Sequence, residues 1–289
     1  MLIGNLIYGL LNSAILAFMA LGFSLTFGIS GVANFAHGAL YVFVGYATLV
    51  LYEQLSFPYI LSVVVSTLFA GLFGGLMYRF IVLRVRGQIT SEVIATFGVG
   101  LVILELVHYS TGGYAYNLPV LVDRSFEVAG VYIDGQRLII LAVCAILIFS
   151  LWLFTNYTRI GRAFRGIAQD ERTALSLGIN SDWMATLSIS FGAMLAGLAA
   201  ICIFPLGSLA IGEGYNVLLM ALAVSIIGGL GRTGGVVLAS LFIGFSEQFT
   251  NFYIGPNLKM VVGLAAMCLV LAIKPSGLLG QQKELEERI

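Results

Sequence analysis

Charge is what this sequence has least of. Only 10% of its 289 residues are charged, 14 basic against 14 acidic, so there is no net charge to draw it to nucleic acid. Cysteine is scarce as well: Cys144, Cys202 and Cys268 are odd in number, lie in apolar runs and lack metal-ligand spacing, which excludes a disulfide framework and leaves free packing residues. The two histidines, His37 and His108, have no Ser, Cys or carboxylate spaced as a local nucleophile or metal motif, and a membrane enzyme is disfavoured on that ground. No GxxxxGK[ST] occurs, so ATP is not bound here by a P-loop, and acids at membrane depth are too few for a proton-driven pump. Self-powered transport is therefore the weaker expectation.

What is abundant is apolar surface. Sixty per cent of the residues are hydrophobic and the mean hydropathy is +1.02, beyond the range of a soluble domain of this size. The alternating segments of a β-barrel are missing, and 35 glycines suit closely packed or broken transmembrane helices. The fold class is all-α, a polytopic transmembrane bundle, read as one membrane-spanning domain over 1–289. Runs long enough to span are 4–27, 58–82, 93–111, 137–156, 184–206, 215–231, 235–253 and 257–273. The first is too long for a signal peptide and lacks a basic leader, so it is expected to be retained. A further piece, 34–52, follows the interruption Gly28–Gly38 and is either a full crossing or a re-entrant half-helix.

Basic residues assign the inner side. Arg79, Arg84 and Arg86, the 157–183 loop, Arg232 and Lys274, Lys283 and Arg288 mark it, with the tail KELEERI expected inside. Glu53, the segment 112–136, Glu213 and the turn from Glu247 to Lys259 fall on the outer side, where 112–136 is long enough for a small cap or amphipathic helix. A full crossing by 34–52 places the N-terminus outside; a re-entrant piece places it inside.

The polar stretch 157–183 is too charged for hydrocarbon. Ile160, Phe164, Ile167, Glu171 and Leu175 fall on one helical stripe, and Arg162, Arg165, Gln169 and Arg172 on another. Asp170 suits the cap of a two-turn helix running to Leu177, and Gly178 the left-handed residue that ends it. Such an element docks on protein or lies on lipid headgroups. Asn34, His37, Glu105, His108 and Asn216 are the polar residues at membrane depth. Asn34 and His37 either border a water-lined path or serve structure, Asn34 capping the next half-helix and His37 bonding a neighbour. Glu105 and His108, three apart, are placed to pair with each other near the outer end of their helix. Gly228, Gly229 and Gly231 around Arg232 suit a hinge or close packing, and FGISG at 27–31 is echoed by IGGLG at 227–231.

Three separated motifs then fall in order. SGVANFAHGALYVFVGY (30–46) resembles the N-terminal signature of permease subunits of branched-chain amino-acid ABC importers, the LivH type. TRIGRAFRGIAQDERTALSLGIN (158–180) is similar to that family's cytoplasmic coupling loop, and IKPSGLLG (273–280) to its C-terminal signature. The resemblance covers essentially the whole chain. It implies an inner-membrane permease that pairs with a homologous second permease, two cytoplasmic ATPase subunits carrying the ATP and Mg, and a periplasmic solute-binding protein, with no cofactor in this chain. It also implies that Gly161, Arg162, Arg165, Asp170, Glu171, Arg172 and Gly178 belong to the ATPase-coupling element, and that Asn34, Phe35, His37, Gly38 and Ala39 shape the translocation path, with Glu105 as a further path residue. Ala39 replaces the family's usual Glu, which opens the solute range to urea, amides or carboxylates beside branched-chain amino acids; Glu105 stands where relatives carry a neutral amide, and compensates for Ala39 if both face the path. The competing expectation is a self-sufficient carrier or channel.

Overall fold

The longest helix, α1 (Leu2–Ser30), is buried along most of its length because it carries small residues where neighbours press closest. The computed structural model describes residues 2–280; the tail KELEERI lies outside the described residues. α1 is sandwiched between α8 (Ser181–Ile203) and α10 (Thr233–Tyr253). A Cβ on Gly22 would sit 2.6 Å from the Gly192 carbonyl oxygen, and one on Gly244 2.3 Å from Ser13 Oγ, so small residues set these helix separations. With as much hydrocarbon outside as inside, close packing rather than apolar burial is what holds such helices together.

The two ends of α1 fix the topology. Near its N-terminus the Tyr8 hydroxyl donates to the Tyr132 carbonyl at 2.7 Å. At the other end Leu25 and Ile29 pack against Phe164 and Ile167 of the basic loop. The N-terminus thus lies at the end opposite that loop. The chain returns through an arm, 31–36, then α2 (His37–Leu49) and a π-helical turn (Val50–Gln54), so 34–52 does cross back, as a half-helix with a non-helical approach. α2 is at the centre of the bundle, with Leu40, Tyr41, Val42 and Val44 at most 1% exposed.

α3 (Tyr59–Phe80), α4 (Ile89–Thr111) and α5 (Gly135–Tyr157) complete the first half; α6 (Arg159–Gln169) and α7 (Glu171–Ser176) connect it to α8, and α9 (Glu213–Gly228), α10 and α11 (Lys259–Ile273) finish the bundle. Among the described residues five helices, α1, α3, α4, α5 and α8, are long and apolar enough to cross a membrane unaided. The expected runs 215–231 and 257–273 are realised as shorter helices of 16 and 15 residues, and α9 and α10 turn through 112° at their glycine-rich joint. The segment 112–136 forms no amphipathic helix. It makes a hairpin, β1 (Ser125–Val128) with β2 (Val131–Asp134), because Ala129 and Gly130 both take left-handed backbone angles, φ +53° and +78°, that match the twist of the strands.

Glu247 is likewise not in an outer turn. It lies within α10, 1% exposed, where its carboxylate accepts from Asn12 Nδ2 at 3.0 Å and faces Lys259 Nζ at 3.4 Å. Lys259 also donates to Asn12 Oδ1 at 3.1 Å, tying α11 to α1 and α10. Lys259→Met is expected to cost about 1–3 kcal/mol by stranding that carboxylate, read as a lower unfolding temperature in detergent. Adding Glu247→Leu should recover part of the loss, since an apolar replacement leaves no buried charge unpaired.

Candidate functional site

The interruption between α1 and α2 is built from turn chemistry. Gly31 takes φ +68°, and Asn34 Oδ1 accepts from Ala36 N at 3.1 Å while its carbonyl accepts from His37 N, which starts α2. His37 is 1% exposed; its Nε2 lies 3.1 Å from the Met19 carbonyl oxygen and its ring stands edge-on to Phe23. Asn34 shapes the turn that starts the half-helix, and His37 fastens that half-helix to α1.

Phe35, half-buried, and Ala39, buried, stand at one edge of the interruption. They form the floor of a shallow groove walled by Phe97, Gly100, Leu101 and Leu104 of α4 and by Gly214, Tyr215 and Leu218 of α9. α2 and α9 start side by side here, since a Cβ on Gly38 would fall 1.8 Å from the Gly214 carbonyl oxygen. Thr96 of α4 is fully buried and its hydroxyl accepts from Phe35 N at 3.2 Å, joining the groove's floor to its wall. Glu105 forms no ion pair with His108; both are exposed on α4, and Glu105 faces away from α2. Asn216 is exposed at the start of α9, its Nδ2 at 3.5 Å from Glu213 Oε2.

Gly228, Gly229 and Gly231 are closely packed against other backbone. A Cβ on Gly28 would meet Gly231 Cα at 2.3 Å, and one on Gly228 the Gly235 backbone at 2.5 Å. The two echoed glycine pentamers therefore touch. The motif IKPSGLLG has a physical role at the same place: Leu278 N and Leu279 N donate to the carbonyls of Ile227 and Gly228 at 2.7 and 3.2 Å, satisfying acceptors at the end of α9 that its own helix leaves free.

At the basic end, Thr158 caps α6 by accepting from Gly161 N at 2.9 Å. Asp170 ends α6 and caps α7, accepting from the amides of Arg172 and Thr173 at 2.9 and 3.2 Å. Bonds from the Thr173 side chain and backbone hold its carboxyl below the usual range. Gly178 closes α7 at φ +81°. The stripe expected through 160–175 does not run on, because the cap at Asp170 breaks it: Phe164, Ile167 and Ala174 are buried, whereas Ile160 and Leu175 are exposed. The Cα of Gly161 presses on the last turn of α5, a Cβ falling 2.0 Å from the Phe154 carbonyl oxygen. The outward face carries Arg162, Arg165 and Arg172 with Leu175 and Leu177, the last 76% exposed.

Glu171 points the other way. Arg86, from the turn between α3 and α4, reaches Glu171 Oε1 at 2.6 Å, Ser181 Oγ at 2.9 Å and the Asp182 carboxylate. Burial works against its charge, but Tyr78, Glu171 and Asp182 outweigh it and hold the guanidinium's pKa above its ordinary value. Residues 85 and 96 positions apart meet in this cluster, which sequence spacing does not reveal.

Residues 5–271 match the family described as branched-chain amino acid transport system / permease component. The chain belongs to this family. Among its relatives, the branched-chain amino acid permease protein BraD of Pseudomonas aeruginosa is 29% identical, the alignment covering 96% of this chain and 95% of BraD. LivH of Escherichia coli K12 is 26% identical over 92% of this chain and 91% of LivH, and LivM of the same organism 24% over 90% and 67%. The structure of PsaBC from Streptococcus pneumoniae in complex with Fab superposes with a TM-score of 0.52 at 13% identity, covering 93% of this permease and 91% of that chain; this likeness is one of fold. The permease is a multi-pass membrane protein.

Proposed function

We propose that this permease is one of two homologous membrane subunits of an ATP-binding-cassette importer in the bacterial inner membrane. It passes a branched-chain amino acid, or a related small amide, urea or carboxylate, inward by alternating access. Two cytoplasmic ATPases, which hold the ATP and Mg, dock on α6–α7, and a periplasmic binding protein delivers the solute at the hairpin end. The basic end and the C-terminus are cytoplasmic. The observation that carries this reading is α7 with its flanks, a capped helix outside the apolar bundle that exposes Leu175 and Leu177 on a loop also exposing Arg162, Arg165 and Arg172, and whose acids bond within its own chain. An apolar edge of that kind is made to be covered by protein.

The second permease is supported by α4. This helix packs chiefly on α2, leaves most of its apolar surface bare, and carries Glu105 on its open face, where lipid is a costly neighbour for a carboxylate. The groove over Phe35 and Ala39 opens beside that face, so a partner across it encloses a path between the two subunits. In proteoliposomes, uptake is expected only when the permease pair, the ATPases and the binding protein are present with ATP. Ion-gradient-driven uptake by this chain alone is the result that overturns the reading.

A further inference from the structure

The cluster around Arg86 joins three parts of the chain that no helix connects: the turn before α4, the start of α7 and the start of α8. We propose that Arg86 is a positioning residue for coupling, the tie through which movement of α7 is passed to α4 and so to the groove. The proposal rests on α6–α7 being the ATPase-docking element.

The mechanical line can be followed bond by bond. Glu171 on α7 is held by Arg86 Nη2 at 2.6 Å, and Ser181 Oγ donates to the same carboxylate oxygen. The next residue, Gly87, donates its amide to Glu92 Oε1 at 2.7 Å, and Glu92 is 5% exposed in the first turn of α4. One turn on, Thr96 accepts from Phe35 N. One turn further, Gly100 lies against the interruption, where a Cβ would stand 3.3 Å from Ala36 Cα. Glu92, Thr96 and Gly100 are spaced i, i+4, i+8, so a single stripe of α4 runs from the Arg86 turn to the groove's floor. Because α4 packs chiefly on α2, few other contacts resist its movement as a unit. Two charged bonds from one guanidinium fix direction as well as distance, which a single ammonium cannot reproduce.

The test uses the complete importer, with Ser176→Cys, exposed beside the docking edge, cross-linking to the ATPases as a check on docking and solute moved per ATP hydrolysed as the readout. With docking intact, Arg86→Gln is expected to lower solute per ATP by about tenfold, with Arg86→Lys between it and the unmodified protein. Glu171→Gln, a milder change on a half-exposed side chain, and Thr96→Val at the far end of the stripe should shift the ratio in the same direction. The Arg86→Gln/Thr96→Val pair should do no worse than Arg86→Gln. An unchanged ratio in Arg86→Gln and Glu171→Gln overturns the tie, and so does loss of the cross-link in either, which makes the cluster a scaffold for docking. Absence of the cross-link in Ser176→Cys alone is a different failure, that of the docking reading itself.

Discussion

Gly38→Val is expected to remove folded permease from detergent extracts, whereas Gly98→Ala, sixty residues on, leaves it intact. At Gly38 the added Cβ meets the Gly214 carbonyl oxygen at 1.8 Å and Leu218 Cβ at 3.1 Å. The first obstacle is backbone, which gives way only by separating α2 from α9. Overpacking of this kind costs about 1–3 kcal/mol where side chains yield, and more where they cannot. At Gly98 a Cβ meets nothing within 4 Å. Size-exclusion profiles and unfolding temperatures of the two variants measure the contrast. A Gly38→Val protein that elutes and unfolds like the unmodified permease contradicts the α2–α9 contact and, with it, the groove.

The second large effect is expected at the outward edge of α7. Leu175→Asp with Leu177→Asp places two carboxylates where the apolar edge now stands, on side chains 51% and 76% exposed that hold nothing together within the chain. Interface anchors of this kind contribute about 2–4 kcal/mol each, so ATPase affinity should fall by about a hundredfold or more. The permease itself should keep its elution profile and unfolding temperature. Affinity measured on the purified permease pair in nanodiscs checks the first expectation. Full ATPase binding by the double variant moves the docking surface elsewhere.

Local chemistry was the legible part of this chain. The capping Asp170, the closing Gly178 and the span centres all follow from neighbours within a few residues, and the structure places them as expected. Asn34 and His37 were legible as special but not as to role, because a polar residue beside a break reads alike whether it faces water or completes a turn. Arg86 looked like an ordinary basic anchor. Its partners are supplied by tertiary folding, and hydropathy carries no trace of them. Glu247 misled for a related reason: a carboxylate normally marks a helix end, and only Asn12 on α1 and Lys259 on α11 make a buried position tolerable. The hairpin at 125–134 was obscured by the Asp134-Gly135-Gln136 sequence, which resembles a turn but is where β2 gives way to α5. The docking acids show the same limit. Asp170 and Glu171 invite a reading as contacts for a partner, yet one is occupied by the cap and the other by Arg86.

The bonds from Leu278 and Leu279 to the end of α9 have a consequence for how the protein is made. Gly28 in the first helix rests on Gly231, and Gly229 rests on Gly280, near the end of the described chain. During synthesis α1 enters the bilayer long before α10, its largest neighbour, has left the ribosome, and the joint between α9 and α10 is completed only by residues that emerge after α11. α1 therefore waits, incompletely surrounded, until α10 and the residues after α11 have emerged. A nascent chain halted before residue 277 has α1 to α11 in place and still lacks the clasp that closes the joint between α9 and α10.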